Sequence, residues 1–366
     1  MKIKTITCHR VYNYGASLQE YALLRFLNNL GHKAETINYT PSYLSNHFNL
    51  LAISNPKYAK NIIIKIIYLI AKLPQRLPLL KRKKAFDIFE EKYIPSTVTY
   101  YLTNEDLKKS KPDADAYICG SDQIWNSFFQ NGKDPAFYLD FVPQHKLKIA
   151  YAASFAIDEI ADELKPFVKE KVEKIDKVSV REPSGVKILN NLGIQNVVQV
   201  VDPVFLIEKD FWVSNFVTPI QEKYIFVYDC DSNKNIKSIV EETAKKHKLK
   251  IYTVNQNIKY ATKNLYKKGP ETFLSLIYGA TFVISNSFHA VAFSLIFNKL
   301  FFVVDRNEKI NTRMRDIMNY VGLPELHLQY NEYKKFDNVT IDYNRVNKVL
   351  QHKIKESQAF LINALN

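Results

Sequence analysis

Ser285-Asn286-Ser287-Phe288-His289 puts two hydroxyls, an amide and an imidazole between two apolar runs. Those groups suit anion binding and proton transfer, if they stand where a strand ends and a helix begins. There the first N–H groups of the helix are free and attract negative charge. The same residues also suit plain capping, and a lone histidine also serves as a structural residue. Gly120-Ser121-Asp122 brings a small turn, a hydroxyl and a carboxylate. Asp122 is either a base facing a cleft or the cap of the next helix. Arg181, before Glu182 and Pro183, is a fork for a carboxylate or phosphate, or an ion-pair partner of Glu182. Arg306, Arg313 and Arg315 follow another apolar run, and one of them is expected to point inward. Trp125 and Tyr14 offer faces that stack on a sugar ring or fill a core.

The elements needed to hold these residues alternate along the chain. Strands are expected at Lys2–Cys8, Lys33–Tyr39, Ala114–Cys119, Lys148–Ala152, Lys177–Arg181 and Val197–Val201. A second series follows at Tyr224–Tyr228, Lys250–Val254, Thr281–Ile284 and Leu300–Val304. Helical spacing lies between them at Leu18–Leu30, Asp158–Val172, Glu182–Leu192, Glu271–Gly279 and Ala290–Phe297, and a last helix at about Arg345–Leu365. This βα rhythm makes parallel sheets, whose ligands bind beyond the carboxyl ends of the strands. His9, Arg10, Asp122, Arg181 and the 285–289 group all fall there. Asp202-Pro203-Val204 reads as the crossing between two halves.

The chain has 366 residues, enough for two domains, and a globular composition with 46% hydrophobic and 24% charged residues. The spacing suggests 1–203 as the first domain, 204–340 as the second, and 341–366 as a terminal helix. Nine glycines and no G-x-G-x-x-G or phosphate loop argue against a Gly-rich dinucleotide loop. Cys8, Cys119 and Cys230 are few and scattered, which excludes a disulfide framework, and no metal motif appears. No secretory signal opens the chain, so a cytoplasmic protein is expected.

The formal charge of +14 favours anionic partners. Residues 41–96 break the rhythm as a helical basic insertion. From Lys57 to Lys84 there are nine Lys or Arg and no Asp or Glu. Lys57, Lys60, Lys65 and Lys72 project to one side, and Ile62, Ile63, Ile66, Leu69, Ile70 and Leu73 to the other. Pro74 and Pro78 are expected to end that helix, and Lys81 to Lys84 to begin the next. Two readings stand: a helix packed on its domain with a solvated basic face, or one lying on an anionic membrane surface. Without interleaved aromatics, the basic run does not read as a nucleic-acid module.

Several segments together resemble the polysaccharide pyruvyltransferase family. They are Asn13-Tyr14-Gly15-Ala16 with Leu18-Gln19; Cys119 through Asn126; Ser179-Val180-Arg181-Glu182; Val201-Asp202-Pro203; and Gly269-Pro270 through His289-Ala290. The resemblance implies an α/β fold of two Rossmann-like domains facing across a cleft, similar to the GT-B glycosyltransferases. It implies a pyruvyltransferase moving pyruvate from phosphoenolpyruvate onto two hydroxyls of a sugar, as a cyclic ketal. The donor would lie on the second domain, at Ser285, Asn286, Ser287, Arg306 and Arg313, gripped also by Arg181. The acceptor, a sugar or lipid-linked oligosaccharide, would lie on the first, at Asn13, Tyr14, Gln19 and Trp125. His289 and Asp122 would be catalytic, and no cofactor beyond phosphoenolpyruvate as co-substrate is implied. The family's Arg-Leu-His signature reads Ser287-Phe288-His289 here, so another cation must replace the signature arginine, or the donor differs. A GT-B glycosyltransferase using a nucleotide sugar is the alternative. A lipid-linked acceptor would place the protein peripherally on the inner face of the membrane.

Overall fold

The computed structural model describes residues 1–45, 51, 53, 58, 61–256, 258–308, 310–330, 332 and 339–366. Two parallel sheets carry the molecule. The first has seven strands: β1 Lys2–Ile6, β2 Lys33–Tyr39, β3 Ser96–Tyr101, β4 Ala116–Cys119, β5 Leu147–Ala153, β6 Lys177–Val180 and β7 Val198–Gln199. The second has six: β8 Tyr224–Tyr228, β9 Lys250–Thr253, β10 Lys263–Asn264, β11 Phe282–Ser285, β12 Leu300–Val304 and β13 His327–Leu328. The orders are β3-β2-β1-β4-β5-β6-β7 and β10-β9-β8-β11-β12-β13. In each, the chain winds outward to one side and then to the other. The reversal falls between β1 and β4, and between β8 and β11, which opens a crevice at the carboxyl ends of those strands.

The sequences of the central strands follow from that position. β4 (AYIC), β8 (YIFVY) and β11 (FVIS) are buried at every residue, because helices cover both faces of a parallel sheet. The helix Tyr14–Asn29 is buried at 13 of its 16 residues, so it is no surface helix. Tyr14 stacks on Phe273 of the helix Pro270–Gly279, with ring centroids 4.9 Å apart, and donates its hydroxyl to the Lys268 carbonyl. One helix of the first half is thereby clamped to the second. The terminal helix Tyr343–Leu365 starts at the second sheet, where Tyr343 donates to the Lys299 carbonyl. It ends on the first, where Ser357 accepts from the Val201 N–H and Phe360 lies beside Tyr151.

Two expectations about the insertion change. Pro74 and Pro78 do not end a helix, and Lys81 to Lys84 do not begin one: Ile62–Tyr93 runs unbroken through all of them. Each proline withholds one N–H, from the carbonyls of Ile70 and Pro74. Those residues are exposed, so water can satisfy both carbonyls. The helix starts at Ile62, capped by the Asn61 side chain. Lys57 and Lys60 lie outside the described residues. The expected helix over 158–172 is a short 3-10 turn, Asp162–Leu164, followed by Lys165–Val172.

Candidate active site

The site assembles at the carboxyl ends of both sheets. β11 delivers Ser285, and the helix Phe288–Ile296 starts immediately afterwards. Ser285 spends its hydroxyl on the Tyr228 carbonyl and accepts the Ser287 N–H. The Asn286 amide donates to Asp229 and Asp231 and accepts from the Cys230 N–H. These two side chains therefore tie β11 to the loop after β8, which leaves their polar atoms committed within the protein. Ser287 stands at the N-cap without a side-chain capping bond, so its hydroxyl does not do the capping expected of it. The first N–H groups of this apolar helix also lack intrahelical acceptors.

His289 lies in the first turn of that helix and is 5% exposed. Its Nε2 has no hydrogen-bond partner and sits 3.5 Å from the Asp202 carboxylate. Its other face touches the first turn of the helix Tyr14–Asn29. A Cβ added to Gly15 would fall 1.9 Å from the imidazole Nδ1. The Asn13-Tyr14-Gly15-Ala16 segment thus places backbone, rather than a side chain, against the histidine. Asn13 caps its helix by accepting from the Gly15 and Ala16 N–H groups.

Arg181 follows β6 and is buried among acids. It donates to Asp202, lies 3.5 Å from Asp122 and 3.8 Å from Glu182. Arg313, in the helix Thr312–Tyr320 of the second half, reaches the same Asp122 oxygen at 3.5 Å. Both guanidiniums lie on the Phe288 ring, at 4.5 Å and 5.7 Å from its centroid. Two like charges are held together by one carboxylate and one aromatic face. Arg313 feels the cost: burial, and then repulsion from Arg181, push it down to about 9. Its Nε, with Nε and Nη2 of Arg181, has no hydrogen-bond partner. Arg306 enters from the end of β12 and donates to the Asn286 carbonyl at 2.9 Å.

The acids answer these cations. Burial raises Asp202, but His289 and Arg181 outweigh it and hold the carboxyl far below its usual range. Burial likewise raises Asp122, and Arg181, His289 and Arg313 bring it below its ordinary value. In this state Asp122 bridges two arginines and is a weak base. It is aimed by an unusual turn, with positive φ at Gly120 and Asp122. A side chain at Gly120 would strike the Tyr151 carbonyl at 2.0 Å.

The expected acceptor residues separate from the cleft. Trp125 is fully buried, stacks on Tyr138 and donates its indole N–H to the Phe137 carbonyl, so it packs a core and offers no face to a sugar. Tyr14 is likewise buried as the clamp between halves. Gln19 holds the turn before Asp122: it accepts from the Ser121 N–H and donates to Thr7 and the Ala16 carbonyl. Of the four, only Asn13 is exposed. Asp202, expected as a mere crossing, is the shared partner of Arg181 and His289. Its pairing with Pro203 in the family-like pattern was the one available signal. Among the described residues no cluster of side chains could hold a metal ion.

A family model described as polysaccharide pyruvyl transferase matches residues 13–308. No curated protein matches the chain significantly. Among solved structures, the chain is similar to the Methanocaldococcus jannaschii UDP-GlcNAc 2-epimerase in complex with UDP-GlcNAc and UDP. The TM-score is 0.52 at 12% identity, over 100% of this chain and 99% of that one. Neisseria meningitidis UDP-GlcNAc 2-epimerase gives 0.48 at 12% identity, covering 100% and 99%. An E. coli heptosyltransferase with ADP gives 0.41 at 12%, covering 98% and 100%. With the Methanocaldococcus jannaschii enzyme the chain shares a two-domain α/β, GT-B-like fold.

Proposed function

The chain belongs to the polysaccharide pyruvyl transferase family, and from that premise we propose that it moves pyruvate from phosphoenolpyruvate onto two hydroxyls of one sugar in a cell-surface polysaccharide precursor. The product is a cyclic ketal, and inorganic phosphate leaves. One observation carries this reading. Arg181 and Arg313 are buried side by side with N–H groups that make no hydrogen bond, next to an imidazole whose Nε2 only approaches Asp202, at 3.5 Å. A cluster with surplus buried donors suits a small multiply charged anion.

In this mechanism Arg181, Arg313, Arg306 and Ser287 at the helix start hold the donor's phosphate and carboxylate. His289 delivers a proton to the methylene carbon of the enol, which becomes the methyl group. One sugar hydroxyl bonds to the central carbon, the C–O bond to phosphate breaks, and the second hydroxyl closes the ring. The two hydroxyl protons leave, one replacing the proton His289 gave and one going to phosphate. Asp202 stays ionised and orients Arg181 and His289. Asp122 takes a hydroxyl proton once the incoming anion draws the two arginines away from it. Ser287 stands where the family signature has arginine, and Arg313, stacked on Phe288, supplies the missing fork. We place the reaction in the cytoplasm at the inner face of the membrane, on a lipid-linked acceptor.

Thermal shift with donors tests this. Phosphoenolpyruvate should raise the melting temperature, and UDP-GlcNAc and related nucleotide sugars should not. The reverse pattern would replace the reading by a nucleotide-sugar glycosyltransferase. Mass spectrometry of host lipid-linked glycans, with and without the gene, then reports a pyruvyl ketal directly.

A further inference from the structure

The first half of the helix Ile62–Tyr93 is inside out. Ile62, Ile63, Ile66, Ile67, Ile70, Leu73 and Leu77 are 40–67% exposed. At about 100° per residue they fall on one arc of about 140°. The opposite, half-buried arc carries Lys65, Tyr68, Leu69, Lys72 and Arg76. A monomer surface seldom shows an apolar patch beyond about a few hundred Å², and larger ones mark an interaction site. At about 1.5 Å per residue this strip is about 22 Å long.

Charge selects the occupant. Lys81 and Lys84, both exposed, continue the same arc past Leu77, and Ile88 follows at 52% exposure. No Asp or Glu occurs between residues 57 and 86, and the chain carries +14. A second copy would bring like charge to like. A surface with an apolar interior and anionic headgroups would satisfy both the isoleucines and the lysines. No described helix is long and apolar enough to cross a membrane, so the strip would lie in the interface. The remaining basic residues of the 81–84 run face inward. Arg82 donates to the Tyr12 and Tyr266 carbonyls and lies over Tyr14, and Lys83 pairs with Asp87.

We propose that the isoleucine strip Ile62–Leu77 inserts into the headgroup region of an anionic lipid bilayer, with Lys81 and Lys84 on the phosphates. The proposal deepens the reading of a lipid-linked acceptor and rests on it only for its purpose. Arg82 gives it a consequence: the same helix that meets the lipid is bonded to both halves of the cleft, so docking fixes the cleft at a set height above the surface.

The test is flotation of the intact chain with phosphatidylcholine vesicles, and with vesicles also containing phosphatidylglycerol. Binding to the anionic vesicles is expected, with a fraction that survives high salt because apolar insertion is not screened. Ile66→Asp with Ile70→Asp should lower partitioning at least ~30-fold without moving the melting temperature, both side chains being exposed. Lys81→Glu with Lys84→Glu should remove the salt-sensitive part. Trp125 and Trp212 are fully buried, so Ile66→Trp adds one reporter whose emission should shift blue and be quenched by brominated lipid. No flotation, flotation unchanged in the aspartate variant, or a dimer abolished by that variant in place of flotation would each overturn the proposal. Phosphoenolpyruvate response without flotation sinks only the docking surface; flotation without that response sinks only the donor reading.

Discussion

Replacing Arg313 with methionine should stabilise the protein while disabling the donor site proposed for it. The guanidinium is 7% exposed, its Nε is unpaired, and its best anionic contact is 3.5 Å away and shared with Arg181. Burial and the neighbouring arginine push it down to about 9, well below the ordinary guanidinium value. A fall of that size corresponds to ~5 kcal/mol at most, and to ~2 kcal/mol once the surroundings relax. The charged form is the disfavoured one. The penalty is therefore fully present below about 9, and lifts only as pH rises from there toward the unfolded value. Methionine keeps an apolar stem on the Phe288 ring and removes the charge. Arg313→Met should then raise the melting temperature by ~2–6 °C. It should also weaken phosphoenolpyruvate by ~10–150-fold, the worth of one charge-assisted bond of ~1.5–3 kcal/mol. Melting curves across a phosphoenolpyruvate titration read both quantities in one experiment. A lower melting temperature with an undiminished ligand-induced shift would make Arg313 a structural ion-pair residue and refute the reasoning.

Gly15→Ala should lower turnover by ~100-fold or more, because its methyl group occupies the place of the His289 ring; wild-type turnover at unchanged stability would show that the imidazole position does not matter. Asp202→Asn should cost ~3 kcal/mol at neutral pH by leaving Arg181 underpaired. Because Asp202 is depressed in the fold, that gap should stay constant above the usual carboxylate range and shrink as pH falls below it; denaturant melts at several pH values measure it. Burial pushes the Glu90 carboxyl up to about 7, against the pull of His9 and Arg10 and with help from Glu20. Its folded value exceeds the unfolded one, so stability is lost as pH rises between them. Glu90→Gln should stabilise by ~1–3 kcal/mol at pH 8 and by nothing at pH 4, and equal effects at both would refute the assignment.

The fold was legible where burial is uniform. Tyr224–Tyr228 and Leu300–Val304 begin and end where their apolar runs do, and Lys33–Tyr39 was legible instead by its alternation of polar and apolar residues. β3 was not legible: it is a sheet edge with exposed residues at three consecutive positions, so no alternation appears. β10 and β13 are two residues each, below any periodic signal. The prolines misled because the rule counts a lost N–H bond as a stop, whereas the carbonyls freed here belong to exposed Ile70 and Pro74 and are open to water. Trp125 shows the limit at the site. Spacing put it near a strand end, but only the fold could say that it turns toward Tyr138 and away from the cleft.

Phe288 shows how three separate segments become one site. Its position beside His289 was visible in the sequence, but its role depends on Arg181 from the first sheet and Arg313 from beyond β12. Each cation–π contact is worth ~0.5–2 kcal/mol, which offsets part of the repulsion between the two guanidiniums. A leucine there, as in the Arg-Leu-His signature, has no π face to do this. Ser287 and Phe288 therefore make sense as a pair. Serine at 287 removes one cation from the helix start, and phenylalanine at 288 supplies the surface that lets a second cation, Arg313, stand beside Arg181 instead. On the proposed function, Phe288→Leu alone should then weaken the donor site almost as much as loss of Arg313, although Phe288 bonds to no part of the donor. Restoring arginine at 287 in that background should recover binding, and failure to recover would break the link between the two positions.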